Sequence, residues 1–251
     1  MRFAFGVEYD GSGFSGWQAQ RHAVRTVQES VEKAISKVAD HRVEVACAGR
    51  TDTGVHSTGQ VIHFDTDAER SERSWVFGTN ANLPKDVSVL WARPVSEDFH
   101  ARFSARGRAY RYVIFTRSVR PTFLARRVTW SHQNLDIAPM AAAAEYLIGE
   151  HDFSSYRAVA CQAKSPVRTV HRLEVWRDGP YIHIEVEANA FLHHMVRNIA
   201  GVLMTIGSGE KAPEWADEVL RARDRRLGGG TAPPHGVYLI RGDYPEKFGI
   251  P

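Results

Sequence analysis

One carboxylate, Asp52, stands alone in the string Ala48-Gly49-Arg50-Thr51-Asp52-Thr53-Gly54-Val55-His56, with the cation Arg50 before it and His56 after it. An ionised carboxylate acts as a nucleophile or a general base, and a cationic neighbour favours the ionised form. Glycines at 49, 54 and 59 let the backbone turn sharply and let a ligand or another segment approach closely. Upstream, Val43, Val45 and Cys47 alternate with Glu44 and Ala46, and downstream Val61-Ile62-His63-Phe64 is apolar, so both flanks read as strands. A hairpin would join them with two to five residues, whereas this connector runs to about eleven. Asp52 therefore either caps a turn through its side chain or is displayed for chemistry.

Periodicity outlines the strands and helices around this loop. Phe3, Phe5, Val7 and Tyr9 form a first strand, broken by Asp10-Gly11-Ser12-Gly13. Thr26 and Glu29 make a capping box for a helix whose apolar face is Val27, Val31, Ile35 and Val38. A helix over 71–81, weakened by Gly78 and Asn80, and a strand over 87–91 complete a β-α-β-β-α-β order. The second half repeats that order with a different sequence. It has a strand over 108–116, a helix over 135–148 capped by Asn134, and strands over 168–176 and 181–188 joined by Arg177-Asp178-Gly179-Pro180. Helices over 191–206 and 213–224 and a strand over 236–240 follow, and Gly228-Gly229-Gly230 reads as flexible loop. The expected fold is α+β: two ferredoxin-like or RNA-recognition-like halves, 1–105 and 106–251, with antiparallel sheets joined into one extended sheet and a catalytic cleft between them.

Several stretches carry a family resemblance. They are Tyr9-Asp-Gly-x-x-Phe-x-Gly-Trp-Gln18, Gly49-Arg-Thr-Asp-x-Gly-Val-His-x-x-Gly-Gln-Val61, Phe99-His-Ala-Arg-Phe-Ser-Ala105, Arg108-x-Tyr-Arg-Tyr112, Phe191-Leu-x-x-Met-Val-Arg197-x-Ile-x-Gly201 and Ala232-Pro-Pro-His-Gly236. In this order the chain resembles the TruA family of tRNA pseudouridine synthases from residue 7 to about 240, departing from it at Thr53, where small residues such as alanine are common. The resemblance implies that Asp52 is the catalytic residue, that Arg197 is set against it, and that Tyr110 contacts the substrate. It also implies a homodimer acting on uridines 38 to 40 of the tRNA anticodon stem-loop. The chemistry is an isomerisation, with no redox change and no group donor, so no cofactor is expected.

The residues themselves bear on these roles. A uridine inside a stem must be flipped out and stacked on something flat, which suits Tyr110, while Tyr112 is expected in the core. Arg197 falls on the polar side of the 191–206 helix, one turn from His193. Arg50 either holds the vacated space, binds a phosphate, or makes a loop salt bridge. From Phe99 through Leu135 there is no Asp or Glu, yet Arg102, Arg106, Arg108, Arg111, Arg117, Arg120, Arg126 and Arg127 all fall there, a field that attracts phosphates although the net charge is only +3. Arg21, Arg25 and Arg168 join them as expected phosphate contacts.

No metal is expected, because His193 and His194 would diverge by roughly 100° on a helix, and His56 and His63 lack a ligand frame. Cys47 and Cys161 form no framework and read as buried thiols. No apolar run approaches the roughly 20 residues of a membrane span, and Met1–Phe5 lacks a signal-peptide apolar block, so a cytoplasmic location is expected. A non-catalytic RNA-binding or RNA-folding protein is the rival function. It lacks the aromatic-rich strand signature of RNA-recognition domains and leaves the loop around Asp52 without a purpose. A glycosidase or metal-dependent hydrolase would need a second carboxylate or a ligand cluster.

Overall fold

The computed structural model describes residues 1–20 and 24–251, so Arg21 lies outside the described residues. The chain forms two compact units, the first made of residues 1–107 with 238–251 and the second of residues 108–237. The sequence divides the chain once, near 105; the contacts divide it twice, because the final segment packs with the first unit.

In the first unit the order is β1 (Arg2–Tyr9), α1 (Val27–Ala39), β2 (Ala46–Cys47), β3 (His56–Asp65), α2 (Glu72–Asn82) and β4 (Val87–Val95). Strand β1 is central, antiparallel to β3 on one side and β4 on the other, and β2 pairs antiparallel with β3 at Ala46↔His63 and Cys47↔Ile62. This is the split βαβ arrangement the order predicts. A further strand, β10 (Val237–Asp243), runs parallel to the start of β3 at Tyr238↔His56 and Leu239↔Ser57. That parallel pairing makes the sheet mixed.

Phe3, Phe5, Val7 and Tyr9 of β1 share a core with Ile62, Phe64 and Trp75 and with Val27, Val31 and Ile35 of α1. The opposite face of β1 is buried at its middle, at Ala4 and Gly6, and half-buried at Arg2 and Glu8. The two buried residues are small: Ala4 packs with Phe99, Ala101 and Phe248, and a side chain at Gly6 would strike the Trp91 ring 2.1 Å away. The two weak residues of α2 have uses. Gly78 lets α2 approach Val38 of α1, and the Asn80 amide brackets Val89 with two hydrogen bonds of 2.8 Å.

His63, on β3, is 7% exposed, and its Nδ1 accepts the Ala101 N–H at 3.1 Å. Burial, then the His100 and Arg2 charges, push its pKa down to about 4. The unfolded chain therefore binds a proton that the folded chain refuses, and stability falls as pH drops from about 6.5 towards 4. The loss from this group is on the order of 2–3 kcal/mol. His63→Asn, which keeps an acceptor but cannot titrate, should flatten the profile in urea unfolding at pH 7.5 and pH 5. Equal acid sensitivity in the variant would show that other groups govern it.

The second unit contains β5 (Gly107–Thr116), β6 (Thr129–Ser131), α3 (Ile137–Glu145), β7 (Gly149–Asp152), β8 (Val167–Asp178), β9 (Tyr181–Ala188), α4 (Met195–Gly207) and α5 (Trp215–Ala222). Its strands lie in the order β5-β9-β8-β7, all antiparallel, with β6 parallel to β5. Strands β6 and β7 are short and carry no apolar alternation, so periodicity passes over them. Helix α3 is capped by Asp136, whose side chain accepts from Ala138 N, rather than by Asn134. Helix α4 starts four residues later than the expected 191 because His194 takes φ 63°, a left-handed conformation that stops a helix from extending backwards. The glycine triplet is packed, not loose: a side chain at Gly201 of α4 would meet the Gly230 carbonyl 1.9 Å away. Among the described residues no helix is long and apolar enough to cross a membrane.

Candidate active site

Asp52 sits half-buried on a loop that is shorter than its sequence suggests, because β3 already begins at His56. The loop is held on both sides of Asp52 by the first unit. Fully buried Gln60 pins Gly49, donating Nε2 to its carbonyl at 2.7 Å and accepting its N–H at Oε1 at 3.3 Å. The Tyr9 hydroxyl and Thr51 Oγ1 share a buried hydrogen bond of 2.8 Å, and Trp17 N–H donates to the Thr51 carbonyl at 3.0 Å. Val55 N–H closes a turn onto the Asp52 carbonyl at 3.1 Å, with Gly54 at φ 78°.

Beyond the turn, His56 Nδ1 accepts the Gly11 N–H at 3.1 Å, and its ring stacks on Tyr238 at 4.7 Å between centroids. Asp10 Oδ1 lies 3.2 Å from the same Nδ1. Ser57 Oγ donates to the Leu239 carbonyl at 2.9 Å. Two glycines make this packing possible. A side chain at Gly11 would meet the Val55 carbonyl 1.9 Å away, and Gly16, at φ 92°, lies beneath residues 51–53.

The positioning residues Tyr9, Gly11, Gly16 and Gln60 are invisible as such in the sequence. Their partners lie far along the chain, main-chain atoms for Gly11, Gly16 and Gln60 and the Thr51 hydroxyl for Tyr9, and only the glycines hinted at close approach. Arg50 is exposed on the same loop. Cys47, just upstream, has its thiol pushed up to about 12, mainly by burial. It should stay unlabelled by iodoacetamide at pH 8 in the folded protein and react fully in urea. Native-state labelling of Cys47, read by peptide mass spectrometry, would contradict that burial.

Tyr110 and Arg197 belong to the second unit. Tyr110 lies on β5, 9% exposed, edge-on to Phe191 at 4.8 Å between centroids. Tyr112 is fully buried, its hydroxyl sharing a 2.5 Å hydrogen bond with Thr129 Oγ1 and donating to the Pro233 carbonyl at 2.9 Å, as a core residue must. Arg197 lies in the first turn of α4, and its Nε donates to the Ala232 carbonyl at 2.8 Å. The segment it grips is fastened alongside: Thr231 Oγ1 donates to Asn198 Oδ1 at 2.7 Å, and Arg225 Nη2 donates to Asn198 Oδ1 and to Thr231. This clamp fixes the guanidinium in direction. His193 and His194 do not diverge as helical neighbours would; outside the helix, their rings lie 4.1 Å apart between centroids.

The arginine-rich stretch is less uniform than its sequence. Arg111 pairs with Glu185 at 2.7 Å, since the β5–β9 register puts those residues opposite one another. Arg25 holds Asp86 through both nitrogens at 2.7 Å, and Arg168 donates to the carbonyls of Ser165 and Val167. Arg102, Arg106, Arg117, Arg120, Arg126 and Arg127 are exposed.

A family model described as tRNA pseudouridine synthase matches residues 6–104 and 143–245, which include Arg50, Asp52 and Arg197 and leave out Tyr110. The chain is 61% identical over 251 residues to tRNA pseudouridine synthase A of Nitrosococcus oceani, across 100% of this chain and 96% of that one. It is 59% identical over 250 residues to the protein of that name from Alcanivorax borkumensis, covering 100% and 94% of the two chains. For the Pseudomonas aeruginosa protein of the same name the identity is 58% over 250 residues, covering 100% and 88%. With the match running through both units and through the cradle of Asp52, the chain belongs to the tRNA pseudouridine synthase family.

Proposed function

We infer that this chain isomerises uridine to pseudouridine in tRNA, a conclusion carried by its family membership over the whole of its length. The reaction breaks the N1–C1′ bond, turns the base, joins C5 to C1′, releases the C5 proton to solvent, and takes up a proton at N1. Reactant and product are isomers, so the chemistry calls for a carboxylate, a base-binding surface and charge stabilisation, and for no cofactor.

Asp52 is the proposed catalytic residue, as nucleophile or as base. Supporting it is the cradle: four buried or glycine positions hold the loop while leaving the carboxylate half-exposed. Tyr110 is proposed to stack on the flipped uracil, with Arg197 and Arg50 placing positive charge on the substrate or on Asp52. If stacking is the role of Tyr110, Tyr110→Ala should lower kcat/KM on a tRNA transcript by about 10- to 100-fold, and Tyr110→Phe should keep most of it. A Phe variant as damaged as the Ala variant would assign the role to the hydroxyl instead.

The substrate positions are proposed to be uridines 38–40 of the anticodon stem-loop, the protein a cytoplasmic homodimer, and the exposed arginines of 102–127 contacts to tRNA phosphates, which A-form RNA offers by shape. Primer-extension mapping of pseudouridine on tRNA transcripts tests this, with sedimentation for the mass. Marks at 38–40 and about twice the monomer mass are expected. Marks only elsewhere would refute the position and keep the reaction, whereas a tRNA-binding protein leaving no mark would be the non-catalytic RNA binder.

A further inference from the structure

The second unit carries a loop, residues 117–127, that the proposed chemistry does not use for recognition of a base. Its sequence, Arg117-Ser-Val-Arg120-Pro-Thr-Phe123-Leu-Ala-Arg126-Arg127, holds four arginines and no acid. The loop is tied into a fixed shape by its own residues. Arg117 donates Nε to the Val119 carbonyl and Nη2 to the Arg120 carbonyl, both at 2.8 Å. Arg127 N–H donates to the Leu124 carbonyl at 2.9 Å, Arg127 Nη1 to the Phe123 carbonyl at 3.3 Å, and Trp130 Nε1 to the Arg117 carbonyl at 2.7 Å. Arg126 takes φ 64°, a conformation that costs a non-glycine residue energy and persists where the surroundings enforce it.

What this fixed loop displays is an apolar ring. Phe123 is 92% exposed and Val119 65% exposed, although phenylalanine is among the residues most often buried. Arg120 and Arg126, three residues to either side of it in the chain, and Arg127 are exposed too. An exposed aromatic ring on a hydrogen-bonded loop that also carries exposed guanidiniums matches a nucleotide: the ring takes the face of a base, and the cations take the phosphates beside it.

We propose that residues 117–127 form an RNA contact in which Phe123 stacks on an unpaired nucleobase of the tRNA while Arg120 and Arg126 hold the flanking phosphates. This rests on the tRNA reading above and adds the part of the protein that meets an unstacked nucleotide outside the reacting one. Charge favours RNA over the same loop of a second copy, because two such loops brought together would set arginine against arginine with no acid among residues 117–127 to offset them. Phe77 provides the contrast. It is 60% exposed beneath Arg73 at 4.5 Å, but Glu69 and Glu72 stand near it in the chain and would repel phosphate.

The test measures Kd for a full-length tRNA transcript and for a blunt RNA duplex lacking unpaired nucleotides, at fixed salt. Phe123→Ala should weaken tRNA binding about tenfold, within the range for one lost base stack, and leave duplex binding unchanged. Phe123→Trp should bind tRNA at least as well as wild type, and Phe77→Ala should match wild type. Arg120→Ala should shorten the salt dependence of tRNA binding by about one counterion. Wild-type tRNA affinity in Phe123→Ala, or equal losses for tRNA and duplex, would overturn the proposal. So would a drop in sedimenting mass that accounts for the lost affinity, since the ring would then serve a second copy. A wild-type protein that forms no pseudouridine, yet loses tRNA affinity on Phe123→Ala, would sink the isomerase reading and keep the stacking one.

Discussion

Replacing Asp52 with alanine should lower turnover by about 10⁴-fold or more while the protein still folds and still binds tRNA. The size follows from what is removed: when a single group supplies the nucleophile or the base, its loss costs several powers of ten. Folding should survive because the loop is fastened through its neighbours. Gly49 is held by Gln60, Thr51 by Tyr9 and Trp17, and the turn closes through the Asp52 carbonyl, which alanine keeps. A stability change within about 1 kcal/mol is expected for a half-exposed position of this kind. Binding should survive because affinity for tRNA comes mostly from phosphate contacts. Single-turnover kinetics, thermal unfolding and a binding isotherm on the same preparation separate the three. An unfolded variant would make Asp52 a structural cap, and a folded variant with wild-type turnover would remove it from the chemistry.

The second large effect is expected at a residue that touches no substrate. Gly16 has φ 92°, and a Cβ there would lie 2.8 Å from the Thr51 carbonyl oxygen, 3.2 Å from the Asp52 carbonyl carbon and 3.3 Å from Thr53 N. These are backbone atoms, so relief requires moving the loop that carries Asp52. A shift near 1 Å at a catalytic group costs about 100-fold in rate, and the strained backbone costs about 1–3 kcal/mol in stability. Gly179→Ala is the control, with φ 54° and nothing within 4 Å of the added carbon. It should lose stability and keep kcat, so the difference in kcat between the two variants isolates positioning. A folded Gly16→Ala protein with wild-type kcat would show that the loop tolerates displacement.

How much of this was legible depended on the range of the interaction involved. Strands β1, β4, β5, β8 and β9 and helices α1 and α4 announce themselves, because alternation and helical stripes record burial residue by residue. Strand β7, Gly-Glu-His-Asp, has no such record, and exists because β8 offers it a ladder from Gly149↔Val170 to Asp152↔Val167. The start of β3 is hidden likewise, since Ser57 pairs with Tyr9 and with Leu239, 48 and 182 positions away. At the candidate site, the Asp52 loop stood out through glycine content and a lone acid. Its supports did not, because a buried Gln60 or a Tyr9 hydroxyl looks in sequence like any polar or aromatic strand residue. The acid-free arginine run misled in one respect: Arg111 meets Glu185 across a strand pair, and an ion pair of that sequence separation cannot be seen along the chain.

The most direct test uses a tRNA transcript tritiated at uridine C5, incubated with wild-type protein and with Asp52→Asn, which keeps the shape of the side chain and removes its charge. Label should be released by the wild type, with every base still attached to its sugar, and release by Asp52→Asn should be slower by about 10⁴-fold. Release at equal rates by the two proteins, or no release by a wild type that folds and binds tRNA, would contradict this expectation.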